Sequence, residues 1–437
     1  MASRLLLARR ALRPARLPAW LILLTYVVLT LICGIVLPRV EQQYFAGFSH
    51  EASASAALAV LSTIASGMMA LAGVVFALGF VVVQFSAAAY SPRLIAAVRR
   101  EVQLVHGLGL IVATFGYAIA TMAWTDRGGS GRVPLLSLLV VIVLLGLSLL
   151  AFSRVVLRLE ALQVGNVLRF IGHQGREVID ALFPPLDPQA ATAPGGFAAA
   201  LDQARQRPVL QELHHGGEPV SVTGFDKARL VELAESVDAV IAMECAVGDT
   251  LVENTVILRV HGGRRRLSES LLLETVGLAA QRTFDQDPKY ALRLLVDVAI
   301  KALSPAINDP TTAVQAIDQI EDLLRRLGRR TLDAGLASDR HGVLRLVFPT
   351  PSWADYLTLA FDEIRQYGSG SLQVMRRLRS ALLDLADSVI GADRQETVRR
   401  YLHHLDLAVE QSHFDAEDQA MALQGDRQGL GLSRGRG

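Results

Sequence analysis

Four stretches of this chain are too long and too apolar to be left in water. They run over 20–37, 58–85, 104–124 and 133–152, and none contains an Asp, Glu, Lys or Arg. An α-helix crosses the ~30 Å hydrocarbon core of a bilayer with about 20 apolar residues, and it satisfies its own backbone hydrogen bonds while doing so. The expected architecture is a basic cytoplasmic tail at 1–18, followed by a four-helix transmembrane domain at 19–153. The second stretch is the longest and has to tilt or project from the bilayer. A cleaved signal peptide is the rival account of the first, because Arg4, Arg9, Arg10, Arg13 and Arg16 precede it. That account fits less well: the stretch exceeds an ordinary signal core, and Leu37, Pro38 and Arg39 stand where a small-residue cleavage site belongs.

The apolar excess is local. The chain is 51% hydrophobic and 19% charged with mean hydropathy +0.35, yet after Arg154 charges arrive every few residues, as in a globular domain. A net charge of +1 is not the basic excess of a nucleic-acid binder, so nucleic acid is not an expected partner. Cys33 lies in an apolar run and Cys245 in the polar part, which argues against a disulfide between them and for a reducing compartment. The lipid bilayer is the one partner that composition demands.

Arginines orient the spans, because cytoplasmic loops carry the Lys/Arg excess. The tail holds five, the loop between spans two and three holds Arg93, Arg99 and Arg100, and the exit from span four holds Arg154 and Arg158. The two opposite loops hold only Arg39, Arg127 and Arg132. Both termini are expected inside the cell, with the chain in the cell (inner) membrane. Within span two, Ser62, Ser66, Ala70, Gly73 and Ala77 recur at three- and four-residue steps, a stripe that lets another helix backbone approach closely or lines a pore. Charge-free spans give no support to a proton pump or an arginine-based voltage sensor; His106 and Gln84 lie near span ends, where interfacial residues belong.

The polar region is expected to be α+β. An amphipathic helix is expected over 154–183 and a Pro/Ala/Gly linker over 184–207. A small β-rich module follows at 208–263, with strands at VSVTGF, AVIAMEC and TVILRV, a helix capped by Asp226 and a Gly248-Asp249 turn. The run IAMECAVGDTLVENTVILRV is similar to the turn-and-strand pattern of biotinyl/lipoyl-like barrels but lacks a modifiable lysine at the hairpin tip, so the likeness reaches the scaffold alone. A mainly helical module at 264–423 contains one strand at 343–348, and the tail at 424–437 reads as disordered. In the helical module Arg293, Asp297 and Lys301 fall at four-residue steps and form a charge ladder worth a few tenths of a kcal/mol per pair. Ser304-Pro305 stops that helix, and Asp309-Pro310 starts the next. Ser304, Asn308, Asp309 and Thr312 therefore either cap a helix or, with Arg293, Asp297 and Lys301, share a pocket for an anion or a hard cation.

Three long motifs, STIASGMMALAGVVFALGFVVVQFSAAAYSPRL, DVAIKALSPAINDPTTAVQAIDQI and FDEIRQYGSGS, occur in the order seen in the bacterial predicted-membrane-protein family called domain of unknown function 2254, which this chain resembles over nearly its whole length. The resemblance implies an N-terminal multi-span region and a cytoplasmic region, and no particular activity. An oligomeric channel or transport-related protein with a cytoplasmic regulatory domain is the leading expectation. The alternative is a non-conducting scaffold or sensor whose cytoplasmic module binds a protein, a lipid headgroup or a small anion, with Arg264, Arg265 and Arg266 as a candidate lipid contact. An enzyme is not expected, nor a cofactor or metal. His214-His215 and His403-His404 are adjacent pairs that point about 100° apart on a helix, and no GxSxG, Walker A, GxGxxG or CxxC pattern is present.

Overall fold

The computed structural model describes residues 18–44, 54–89, 102–127, 135–160, 164–186, 196–332 and 335–431. The basic tail before Pro18, loop residues Arg93, Arg99, Arg100 and Arg132, and the side chain of Gln84 lie outside the described residues. Contacts divide the chain into two units, Arg13–Gln163 and the region from Val164 onward.

The first unit holds four helices, α1 (Ala19–Tyr44), α2 (Ala54–Ala89), α3 (Val102–Arg127) and α4 (Leu135–Glu160), each long and apolar enough to cross a membrane. α3 is the central helix and packs against the other three. Its buried residues Ile111, Tyr117 and Ala118 meet Leu61, Ala65, Met68 and Val75 of α2 and Val141 of α4. Leu24, Leu29 and Ile32 of α1 and Leu139, Val143 and Leu150 of α4 point outward, as lipid-facing residues must.

Close backbone approach occurs between α1 and α3, where a Cβ added at Gly34 would stand 2.6 Å from Ala120 Cβ, and one at Gly109 would stand 2.6 Å from the Tyr26 ring. Polar groups join these helices sparingly. Tyr26 Oη lies 3.2 Å from His106 Nδ1, so His106 ties α3 to α1 and is more than an interfacial residue. Thr114 and Ser148 hydroxyls meet at 2.8 Å between α3 and α4.

Glu41 departs most from expectation. The first apolar stretch ends at Leu37, but α1 carries on for two more turns and buries Glu41, which is 1% exposed. Its carboxylate accepts from Leu136 N (2.8 Å), Ser137 N (3.0 Å) and Ser137 Oγ (3.0 Å). Those are first-turn amides of α4, the groups a helix leaves without intrahelical partners and the place where its dipole favours a negative charge. One helix thus caps another.

The second unit opens with α5 (Val164–Leu182), α6 (Gly196–Arg205), β1 (Val209–His214), β2 (Val220–Phe225), α7 (Lys227–Val237), β3 (Ala239–Met243), β4 (Thr250–Leu251) and β5 (Val256–Gly262). It continues with α8 (Glu269–Glu274), β6 (Val276–Ala279), α9 (Pro288–Ala302), α10 (Pro310–Leu327), β7 (Leu336–Ser338) and β8 (Leu344–Val347). The last helices are α11 (Trp353–Gly368), α12 (Leu372–Ser388), α13 (Ala392–Glu410) and α14 (Ala416–Ala422). A five-stranded sheet runs β1-β5-β3-β8-β7 and a three-stranded sheet β4-β2-β6, so the strands form two open sheets. β3 and β5 pair antiparallel, but β3 pairs parallel with β8.

That last pairing crosses the boundary expected at 263/264: β8 is the strand expected at 343–348 within the mainly helical stretch, and β7 beside it was not expected. Short strands such as β6 and β7 escaped the sequence reading because three or four residues carry too little alternation to register. The expected linker also contains structure. α6 packs Ala200 and Ala204 against Val240 and Val347 of the sheet; its alanines are poor linker residues and good helix formers. The helix expected over 154–183 is described as the end of α4 and then α5, with 161–163 outside the described residues. α5 lies closely on α9 and α10: a Cβ at Gly175 would meet Leu323 at 2.8 Å and Ala291 at 3.0 Å.

The C-terminal tail is ordered further than expected. Arg427 forms a bidentate pair with Asp384 of α12 at 3.0 and 2.9 Å, and Asp426 Oδ2 accepts from Gly431 N at 2.7 Å. A salt bridge and a turn hold residues that composition alone marks as disordered. Cys245, 2% exposed, has its thiol pushed up to about 12 by burial, which makes it an inert core side chain.

Glu41→Ala would leave two first-turn amides of α4 without their acceptor. The expected loss is about 1–3 kcal/mol, read as a lower thermal midpoint of the detergent-solubilised protein, with Glu41→Gln intermediate. An unchanged midpoint for Glu41→Ala would show that the cap contributes nothing.

Candidate functional site

The polar residues singled out in the sequence gather along α9 and at its two ends. α9 starts at Pro288 after Asp287, whose side chain accepts from Tyr290 N. Proline is pre-set for a first helical position and aspartate for the cap before it. Asp287 is 1% exposed and pairs with Arg282, whose Nε and Nη2 donate to Oδ2 at 2.9 and 2.6 Å. Burial raises the Asp287 carboxyl above its ordinary value, and the Arg282 charge and hydrogen bonds oppose that rise. Gly248 roofs this pair. Its φ is +97°, and a Cβ there would meet Arg282 Nη2 and Asp287 Oδ2 at 2.8 Å each, so glycine is required by backbone and space alike.

One residue earlier, Gln286 extends a strand edge with its side chain. Its amide oxygen accepts from Phe225 N at 3.0 Å, and its amide nitrogen donates to Phe225 O at 3.3 Å.

At mid-helix, Arg293 Nε donates to Asp297 Oδ1 at 2.7 Å, and its two terminal nitrogens grip both oxygens of Glu363 on α11 at 2.7 Å each. The hydrogen bonds it donates to Glu363, then to Asp297, hold the Arg293 guanidinium still further above its ordinary range. A planar fork on two carboxylates is a clamp between helices. The ladder expected within α9 is thus half of an interhelical bridge, and Glu363 was the partner missed: it belongs to FDEIRQYGSGS, and nothing in the spacing of α9 points 70 residues onward. Lys301 lies two turns from Arg293, near the end of α9.

After α9, the turn over 303–309 brings Ser304 Oγ onto Lys301 O at 2.7 Å, and Asn308 takes a φ of +47°, a left-handed conformation that asparagine tolerates better than most residues. Asp309 caps α10: Oδ1 accepts from Thr312 N at 3.1 Å, and Oδ2 from Thr312 Oγ1 at 2.5 Å. Arg293 and Asp297 therefore form one cluster with Glu363, while Asp309 and Thr312 form a second that closes a helix start. The geometry of both is that of structural clamps and caps.

Other candidates are placed as follows. His214 and His215 bond to Asn254 O and Glu218 O at 3.1 and 2.8 Å. Arg264, Arg265 and Arg266 form an exposed loop after β5. Among the described residues no group of three His, Cys, Asp or Glu stands close enough to hold a metal ion.

In the first unit, Ser62, Ser66, Ala70, Gly73 and Ala77 are all exposed; a Cβ built on Gly73 meets nothing within 4 Å. Among the described residues, no other helix of this chain packs against the stripe. Its opposite face, with Leu61, Ala65, Met68 and Val75, packs inward. Ser66 Oγ donates to Ser62 O at 2.9 Å, so a hydroxyl on this face is satisfied by its own helix.

The family model described as "Predicted membrane protein (DUF2254)" matches residues 16–384. An uncharacterized protein of Mycobacterium tuberculosis (strain ATCC 25618 / H37Rv) and one of Mycobacterium bovis (strain ATCC BAA-935 / AF2122/97) are each 26% identical to this chain over 376 residues, covering 83% of it and 70% of their own length. No solved structure matches.

Removing Arg293 strands two carboxylates, whereas removing Asp309 frees one cap. Arg293→Met should cost about 2 kcal/mol, below the roughly 3–5 kcal/mol of a fully buried pair because Glu363 is half-exposed. Asp309→Ala should cost about 1 kcal/mol. Chemical denaturation of the two variants checks the order; a larger loss at Asp309 would contradict this assignment of clamp and cap.

Proposed function

We propose that this chain, which belongs to the DUF2254 family of predicted membrane proteins, assembles in the cell (inner) membrane as a homo-oligomer through α2 and passes a solute, with the region from Val164 onward as its cytoplasmic regulatory part. The supporting observation is the outward stripe Ser62, Ser66, Ala70, Gly73 and Ala77. Lipid tails are as apolar as leucine, so helices in a bilayer associate where small residues let backbones and hydroxyls come close. The outward faces of α1 and α4 carry large aliphatic side chains, and on α2 the small residues of the stripe stand among exposed Val60, Met69, Val74, Phe76 and Phe80. A second copy set against α2 gains contacts that lipid cannot match, and several copies around an axis would line it with small and hydroxyl-bearing residues. The reading involves no catalytic step, cofactor or nucleic acid.

Purified protein in lipid nanodiscs should run as an oligomer, and the paired substitution Ala70→Leu with Gly73→Leu should shift it toward monomer. In liposomes, ion or small-solute flux should exceed that of empty vesicles and fall in the same variant. A monomeric wild type overturns the assembly; an oligomer without flux at any voltage or membrane tension overturns conduction and leaves a non-conducting scaffold.

The arginine distribution supports an orientation with both termini in the cytoplasm. Fusions of a fluorescent reporter that matures only in the cytoplasm should glow at either end of the chain, whereas a dark fusion that is nonetheless expressed at full length places that end outside.

A further inference from the structure

Helices α11 and α13 pack together in the second unit, joined by Phe361 against Tyr401 and by the Thr358 and Tyr401 hydroxyls at 2.6 Å. Beyond that junction their C-terminal ends leave an open cleft of about 980 Å³, in the upper part of the roughly 300–1,000 Å³ range of small-molecule sites. Arg365 of α11, His404 of α13 and His413 just after α13 stand on its walls, and no Asp or Glu lines it. Leu407, Ala408 and Phe414 give the same cleft an apolar side.

Arg365 is the telling residue. Among the described residues it has neither a hydrogen bond nor an ion pair, and its Nε is buried. Other arginines of these helices are each spent on an acceptor: Arg376 on Met421 O at 2.9 Å, Arg377 on Asp318 and Glu321, and Arg394 on Gly328 O and Arg330 O at 3.0 Å. The helix ends beside Arg365 are closed by serine hydroxyls, Ser369 Oγ on Gln366 O at 3.0 Å and Ser412 Oγ on Val409 O at 2.6 Å. A helix C-terminus disfavours anions through its dipole, so the arginine and the two histidines, not the helix ends, are the holding groups.

We propose that this cleft binds a nucleoside monophosphate. A phosphomonoester carries about −1.5 to −2 charge at pH 7 and presents three acceptor oxygens, which Arg365, His404 and His413 share; a carboxylate has one oxygen fewer and half the charge. The guanidinium fork matches phosphate oxygens in its plane. The nucleoside lies along Leu407, Ala408 and Phe414, where a base finds an aromatic ring to contact. Size favours this class over inorganic phosphate, which would leave most of the cleft to water. The assignment does not depend on assembly or conduction by the membrane helices.

The test uses the full chain in detergent and four probes, AMP, adenosine, ribose 5-phosphate and inorganic phosphate, each titrated by calorimetry. AMP should bind at least about tenfold more tightly than the other three. Arg365→Met, which keeps the stem of the side chain and drops the charge, should weaken AMP about tenfold, the loss of one charge-assisted contact, without lowering the thermal midpoint. Ala408→Phe, which fills the apolar side, should weaken AMP at least as much and serves as the second variant if Arg365→Met fails to fold. No heat of binding from AMP at about 1 mM, or indifference of AMP to both substitutions, overturns the site. Adenosine binding as tightly as AMP overturns the anion, and ribose 5-phosphate or phosphate doing so overturns the nucleoside class.

Discussion

Hydrocarbon offers the backbone no hydrogen-bond partner, and everything in the first unit answers to that. Helices satisfy their own amides except at the ends. Where the start of α4 has amides to spare, Glu41 from another helix supplies the acceptor. A buried carboxylate would be costly alone; against two amides and a hydroxyl it becomes a fastening between α1 and α4. Other polar contacts between these helices include Tyr26 with His106, and Thr114 with Ser148, whose hydroxyls also donate across to Leu144 O and Leu110 O. Packing, set by glycine at Gly34 and Gly109, brings α1 against α3.

The second unit solves the opposite problem. Water is available at its surface, yet three of its arginines are drawn inward onto carboxylates: Arg293 onto Glu363, Arg377 onto Asp318 and Glu321, and Arg345 onto Asp238 and Asp339. Arg377 and Arg345 are buried, so each depends on its acids to offset desolvation. Such bridges do less for stability than for register, because a guanidinium fork accepts few geometries.

The two units were not equally legible. Long charge-free runs announce membrane helices because the bilayer imposes a length and forbids charge, and all four spans lie where those runs are. Caps were legible too: Asp226 and Asp309 each precede a helix and each accepts from a first-turn amide, since capping is decided within three residues. The α6 helix and the ordered 424–431 segment were missed for a shared reason. Their stability comes from Val240, Val347 and Asp384, partners distant in the chain.

Sequence by itself determined the solvent of each half, the helical content of the first, and the local chemistry at each helix start, because these follow from composition and spacing over a few turns. Tertiary structure alone decided which face of α2 turns inward, that β8 joins β3 in parallel, that Glu363 completes the Arg293 clamp, and that Arg365 and His413 border one cleft. Each of these depends on residues far apart in the chain being brought within a few ångströms, and the pattern along a single segment carries no record of what it will face.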